Sequence, residues 1–289
     1  MTTKVKSIHE ITKVVLALDL SNMDKLLIQY SQFLKAHLPN LEEVILYHNI
    51  RFDYPDEAEA LLSTLSEPLA KTVEDKVRAK AKKILQHESF QVVIEENDNS
   101  ALGIVALQKR MGAELVIFGK KVTYEGSGYL IERVLYQKIA SHVMVVPETA
   151  FHRVEQVLVP IEFTENSARA VIQAEHLAKS LDATYTCQHV YAIPNIYFPF
   201  VPVKDIEPEV KDNIQQRWKN FKNKYLKTIG EPKIELSYKS DQSIPQTILN
   251  YSFTNNMDLI VLPFDDRHSS NTVVQVLKLD MHIPILMVR

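Results

Sequence analysis

Two tandem α/β domains, each a doubly wound five-stranded parallel sheet, are what this sequence predicts. An internal repeat sets the number of domains. Short, continuous apolar runs separated by helical patterns set their class.

The repeat comes first. Val14–Ser21 lines up with Val157–Thr164, so that Asp19 and Glu162 stand 143 residues apart. Ala113–Phe118 matches Met257–Leu262 at a spacing of 144, and Val143–Val146 matches Ile285–Val288 at 142. Such self-similarity over most of the chain marks a duplicated unit. The units are expected at residues 1–150 and 151–289.

Within each unit the apolar runs are short, β-branched and continuous rather than alternating, the pattern of parallel strands covered by helices on both faces. Strands are expected near 13–19, 43–49, 90–95, 114–119 and 142–146. In the second unit they are expected near 155–161, 184–190, 233–238, 258–262 and 284–288. Between them lie helical patterns. Ala170, Val171, Ala174, Leu177 and Ala178 recur at helical spacing after Thr164, and Ser21 with Asp24 three residues on reads as an N-cap pair. In such a sheet the ligand crevice opens at the carboxyl ends of the strands, where strand order reverses. That places Asp19 and Glu162 beside the two crevices.

Composition narrows the function. A chain of 289 residues, 46% hydrophobic and 24% charged, has enough apolar material for two cores. The formal net charge is -3 and no block of like charges appears, so neither a nucleic-acid footprint nor an anionic-membrane patch is expected. Cys187 is the sole cysteine, which rules out an internal disulfide and a thiolate-rich metal site. Met1–Thr12 lacks a continuous apolar core, and no later run reaches the roughly 18 apolar residues of a membrane span. A cytoplasmic protein is expected.

Three features, repeated in order, resemble the universal stress protein family across nearly the whole chain. The first strand ends in an acid followed by a polar helix start, as Leu18-Asp19-Leu20-Ser21 and Ile161-Glu162-Phe163-Thr164. The fourth strand begins with an acidic residue followed by apolar ones. A closing helix with Glu132-Arg133-Val134-Leu135 leads into a short final strand. The resemblance implies a Rossmann-like, adenine nucleotide alpha hydrolase-like fold. It also implies a pseudo-dimer within the chain, because single-domain members pair through their last strands; here these end near Val146 and Val288, and fusion raises their effective concentration. A further homodimer of whole chains is left open.

In family members that bind ATP, the fourth strand leads into a loop of pattern Gly-x2-Gly-x9-Gly-Ser/Thr that holds the phosphates, with the first-strand acid near the adenine and ribose. Glycine lets a backbone approach phosphate closely, and a helix N-terminus favours negative charge. Gly119 matches the opening glycine, but Val122 stands in the second position. Only eight residues separate Gly119 from Gly128, where the pattern places twelve. Gly126-Ser127-Gly128 is left to form a smaller anion nest. In the second unit Pro263 replaces the opening glycine, and Asp265 and Asp266 repel a triphosphate unless a divalent cation intervenes. Asp19, Gly119, Gly126, Ser127, Gly128 and Glu162 are therefore the candidate ligand contacts. ATP with Mg²⁺ in the first unit is the one cofactor implied.

Other constellations have structural readings beside functional ones. His48 and His189 stand 141 residues apart at matching ends of the second strands, but neither has a His or Cys neighbour at ligand spacing. Cys187 lies two residues before His189, and positions i and i+2 of a strand share a face by geometry alone; a buried structural thiol is expected. Ser21, Thr164 and Ser167 read as helix caps, since no Gly-x-Ser-x-Gly elbow exists. Asp19 and Glu162 either contact a ligand or receive hydrogen bonds from loop N–H groups. Tyr191–Val203 packs three prolines among aromatics, which bars it from a helix interior or a central strand. It serves as a lid, as an anchor for a protein partner, or as packing against the other repeat. Trp218 is expected to cover the core from the next helix.

The function expected from these residues and the resemblance is non-enzymatic: a stress-response binding or adaptor protein with degenerate nucleotide sites and no catalytic or metal-ligating residues. The alternative is an ATP-binding switch or weak ATPase acting through Asp19, Gly119, Ser127 and Gly128.

Overall fold

The strands form where the continuous β-branched runs lie. In a computed structural model that describes residues 6–51, 67–85, 89–121, 127–193, 202–264, 270–279 and 281–289, the first unit holds β1 (Lys13–Ala17), β2 (Glu43–Ile50), β3 (Phe90–Glu96), β4 (Leu115–Lys120) and β5 (His142–Pro147). All their pairings are parallel, in the order β3-β2-β1-β4-β5. Between them run α1 (Met23–His37), α2 (Leu69–Leu85), α3 (Ser100–Met111) and α4 (Ser127–Tyr136), with α1 beside α2 and α3 beside α4. Val14, Val15, Leu16, Val116, Ile117 and Val145 are fully buried, as strands covered on both faces must be. The edge strand β3 is only half buried.

The second unit repeats the plan. β6 (Gln156–Pro160), β7 (Thr184–Tyr191), β8 (Lys233–Tyr238), β9 (Leu259–Pro263) and β10 (Ile285–Val288) pair in parallel in the order β8-β7-β6-β9-β10. Its helices are α5 (Glu165–Leu181), α6 (Val203–Tyr225), α7 (Ile244–Thr254) and α8 (Ser270–Lys278). The chain thus divides into one compact unit of Met1–Arg153 with His282–Pro284 and another of Val154–Met281 with Ile285–Arg289. The expected fold class holds, with strand ends displaced by only one or two residues.

The turn after the first strand of each unit positions the site. Leu20 and Phe163 both adopt left-handed backbone, with φ of 63° and 59°, which non-glycine residues take up only when the surroundings hold them. The backbone of the acid just before it is pinned from the following helix. The Asp19 N–H donates to Asp24 Oδ1 at 3.1 Å, and the Glu162 N–H donates to Ser167 Oγ at 2.9 Å.

This corrects the capping pair expected at Ser21 and Asp24. Asn22 occupies the N-cap position of α1 without a side-chain cap bond, Ser21 Oγ accepts from the Met23 N–H, and Asp24 reaches back to the turn. In the second unit Thr164 does cap α5, its hydroxyl accepting the Ser167 N–H at 3.2 Å.

Candidate functional site

Strand order reverses between β1 and β4 in one unit and between β6 and β9 in the other, so a crevice opens at those carboxyl ends. Both are present. The first has a volume of about 370 Å³ and is lined in part by Asp19, Tyr47, His48, Asn49, Arg51, Ser100 and Lys121. A neighbouring hollow of about 390 Å³ shares Arg51, Ser100 and Leu130 and adds Asn99 and Arg133. The second crevice, of about 140 Å³, is lined by Glu162, Thr164, Asn166, Ser167, Gln188 and Thr272 together with a majority of apolar side chains.

Asp19 stands at the first crevice with its carboxylate engaged. It accepts the Ser21 N–H at 3.0 Å and the Ser21 hydroxyl at 2.5 Å, and it pairs with Lys121 Nζ at 2.7 Å. Burial works against its charge, but the Lys121 ammonium and the Ser21 bonds outweigh burial and hold the carboxyl below the usual carboxylate range. Glu162 occupies the same place in the second unit and lines its crevice.

The two imidazoles at the ends of β2 and β7 perform one task twice. His48 Nδ1 lies 2.9 Å from the Leu18 carbonyl and His189 Nδ1 lies 2.9 Å from the Ile161 carbonyl, bonds that a protonated Nδ1 donates. Each imidazole ties the end of one strand to the turn of the next. Phe163 covers His189, with ring centroids 4.4 Å apart, and the Arg217 guanidinium lies over the Phe163 ring, 4.9 Å from its centroid. Trp218 and Phe221 of α6 complete the cluster, stacked on each other. Trp218 is buried, as expected of a core-covering residue.

Burial pushes the Cys187 thiol up to about 12, so at neutral pH it is a packed thiol rather than a nucleophile. Among the described residues no group of three or more His, Cys, Asp or Glu side chains is placed to hold a metal ion.

Gly119, the expected opening glycine of a phosphate loop, closes β4 within the first crevice. A β-carbon there would collide with Met23 Cγ. The glycine therefore makes room for Met23. Ser127 and Gly128 begin α4, whereas Gly126 and Val122 lie outside the described residues. So do 265–269 of the second loop and 194–201 of the proline-aromatic stretch. At the edge of that stretch Tyr191 donates to Glu207 Oε1 at 2.8 Å and Ile193 is buried.

Sequence reading missed Tyr47, Asn49, Arg51, Ser100, Lys121 and Gln188 as lining residues. A signal was available for two of them. Arg51 directly follows β2 and Lys121 directly follows β4, and cations at the carboxyl ends of parallel strands face the crevice by topology. Tyr47 and Gln188 carried no such signal, since each sits inside a strand and shows only in three dimensions as a crevice wall. Tyr47 donates to Glu95 Oε2 at 3.2 Å, and Gln188 Nε2 donates to Ser237 Oγ at 2.9 Å.

Residues 153–274 match the model of the universal stress protein family. No curated protein matches the sequence. Among solved structures, a functionally unknown protein from Pseudomonas aeruginosa PAO1 is 12% identical, with 97% of this chain and 93% of that one covered and a TM-score of 0.65. A universal stress protein from Archaeoglobus fulgidus DSM 4304 is 14% identical, with 96% of each chain covered and a TM-score of 0.61. At such identities these structures show the shared fold, and they show it over both units. No described helix is long and apolar enough to cross a membrane. The second unit thus matches the universal stress protein family model, and the same strand order, left-handed turn and strand-end acid recur in the first.

Proposed function

We propose that this is a non-enzymatic, stress-response binding protein whose ligand site is the crevice of the first unit, and that the ligand is a small anionic molecule such as a nucleoside monophosphate. The observation that carries the reading is the charge of the lining: Arg51 and Lys121 face a single carboxylate, Asp19, around a crevice of about 370 Å³. The hollow beyond Arg51 adds Arg133 together with Asp98, so an elongated ligand meets a second guanidinium there with one carboxylate beside it. Guanidinium groups suit phosphate by their forked donors.

The hydroxyls of the crevice support binding rather than bond-breaking. Ser21 donates to Asp19, and Ser100 accepts from Asn49 at 2.9 Å. Neither is paired with His48, whose Nδ1 is committed to the Leu18 carbonyl; nucleophilic catalysis needs such a pair. Under the same reading Tyr191–Val203 is the contact for a protein partner.

Calorimetric titration of the nucleotide-stripped protein tests the proposal. ATP–Mg²⁺ is expected to bind no tighter than roughly millimolar, equivalent to about 4 kcal/mol, and AMP at least as tightly. Lys121→Ala removes a cation and uncovers Asp19, and should weaken AMP about tenfold, the size of one charge-assisted bond. Micromolar ATP–Mg²⁺ binding, lost in Gly128→Asp, would instead make the first unit a nucleotide switch or weak ATPase.

A further inference from the structure

The second crevice carries an inference of its own, independent of the reading of the first. We infer that it is a site for a neutral, single-ring ligand bearing one hydrogen-bond donor, which it presents to the amide oxygen of Gln188. Three observations converge on that chemistry.

The first is size. A volume of about 140 Å³ is close to that of apolar protein cavities of about 150 Å³ that hold one benzene molecule, and well short of the space a nucleotide requires. The second is polarity. Eight of the fourteen lining residues are apolar, Ile161, Val190, Ile244, Ile248, Leu262 and Val273 among them, and among the described residues no lysine or arginine lines the crevice. Among the described residues the one charged lining group is Glu162, which repels an anionic ligand.

The third observation supplies the orientation. Gln188 is fully buried, lines the crevice, and leaves its Oε1 without a hydrogen-bond partner among the described residues. Its Nε2 is used on Ser237. With the amide oxygen and nitrogen exchanged, the Ser237 hydroxyl donates to the oxygen and the nitrogen is left to seek an acceptor; a ligand hydroxyl, donor and acceptor at once, answers either orientation. A buried amide with one group unmet is costly, and a ligand donor seated in the crevice relieves it. The corresponding place in the first unit holds Tyr47, whose hydroxyl is already spent on Glu95, so the feature is particular to the second unit.

Phenol and toluene, nearly identical in shape and differing in one donor, test the inference on the intact chain. Binding is followed by amide chemical-shift changes in the labelled protein. Phenol is expected to bind at millimolar concentration or better, to perturb residues around Ile248, Leu262 and Val273, and to bind at least as tightly as toluene despite its stronger hydration. Gln188→Met keeps the side-chain length but removes the amide, and should shift the phenol-to-toluene ratio about tenfold toward toluene. Thr272→Trp at the crevice should abolish binding of both while the fold, read from the same spectra, persists. Benzoate should bind at least tenfold more weakly than phenol. The inference is overturned if neither ring binds, if the shifts fall outside the second crevice, or if Gln188→Met leaves the ratio unchanged. Because the wild-type ratio is itself a measurement, a misfolded variant does not shelter the proposal.

Discussion

The crevices of the two units occupy the same place in the same fold and have become different sites. What they share is backbone support. Leu20 and Phe163 take the same left-handed conformation, the N–H of each strand-end acid has an acceptor from the following helix, and each unit bonds an imidazole Nδ1 to the carbonyl ahead of that acid. What differs is the lining. Among the described residues the first crevice sets two cations against one carboxylate, while the second has a carboxylate, no cation and a mostly apolar wall. The comparison teaches that duplication conserved the geometry of the turn and left the chemistry of the walls free to diverge.

The largest effect that probes this difference is expected at Gly119. The space above its Cα belongs to Met23, so Gly119→Val should destabilise the first unit by about 3 kcal/mol, toward the upper end of overpacking costs. The second substitution Met23→Ala should recover much of the loss. Denaturant unfolding measures both; a harmless Gly119→Val would show that Met23 moves aside and that the glycine is open to ligand after all.

A smaller effect concerns the acceptors that pin the two turns. Asp24 is almost fully buried and meets Lys80 Nζ at 3.3 Å, whereas its counterpart Ser167 does the same work uncharged. Burial raises the Asp24 carboxyl above its ordinary range despite Lys80, so its charge is borne at a cost that shows as stability lost when pH rises through that range. Asp24→Asn keeps the acceptor for the Asp19 N–H and should change stability by less than about 1 kcal/mol, while Asp24→Ala leaves that N–H unmet and should cost about 1–3 kcal/mol. Equal losses in the two variants would mean that the charge, not the acceptor, holds the turn.

The smallest expected effect is on pH dependence, and it should be common to both units. Burial holds His142 in the first and His189 in the second below the ordinary imidazole value of 6.5. As pH falls below about 6.5 the unfolded chain therefore takes up protons that the folded chain does not, and folding stability declines until the lowered folded values are passed. Above that window the contribution is fully present. Thermal unfolding should begin earlier at pH 5.5 than at pH 7.5, and His142→Gln should flatten the dependence of the first unit alone; an unchanged slope would remove His142 as its source.

Much of this architecture was legible in the chain. The runs Val14–Ala17 and Val157–Pro160 are continuously apolar and rich in valine, and burial on both faces leaves little else they could become. Thr164 announced the start of α5 because its hydroxyl meets a local need, the unpaired N–H groups of a first helical turn. The same logic misled at Ser21 and Asp24, where the left-handed turn at Leu20 brings the Asp19 N–H within reach of Asp24 and a tertiary bond displaced the local one. Gly119 is a related case: a glycine after a fourth strand suits both a phosphate and a neighbouring side chain, and the structure shows Met23 packed against it.

The sequence by itself determined the number of units, their class and where their crevices lie, because strand periodicity, repeat spacing and the rule of reversed strand order are properties of local pattern and connectivity. Tertiary structure alone decided what each crevice is made of. Arg51, Ser100 and Lys121 come from separate segments of the chain to face one space, and Gln188 becomes an unmet acceptor only once β7, β8 and α7 close around it. Charge balance and hydrogen-bond satisfaction depend on which groups share a low-dielectric volume, and that is a matter of distances in space that no spacing along the chain contains.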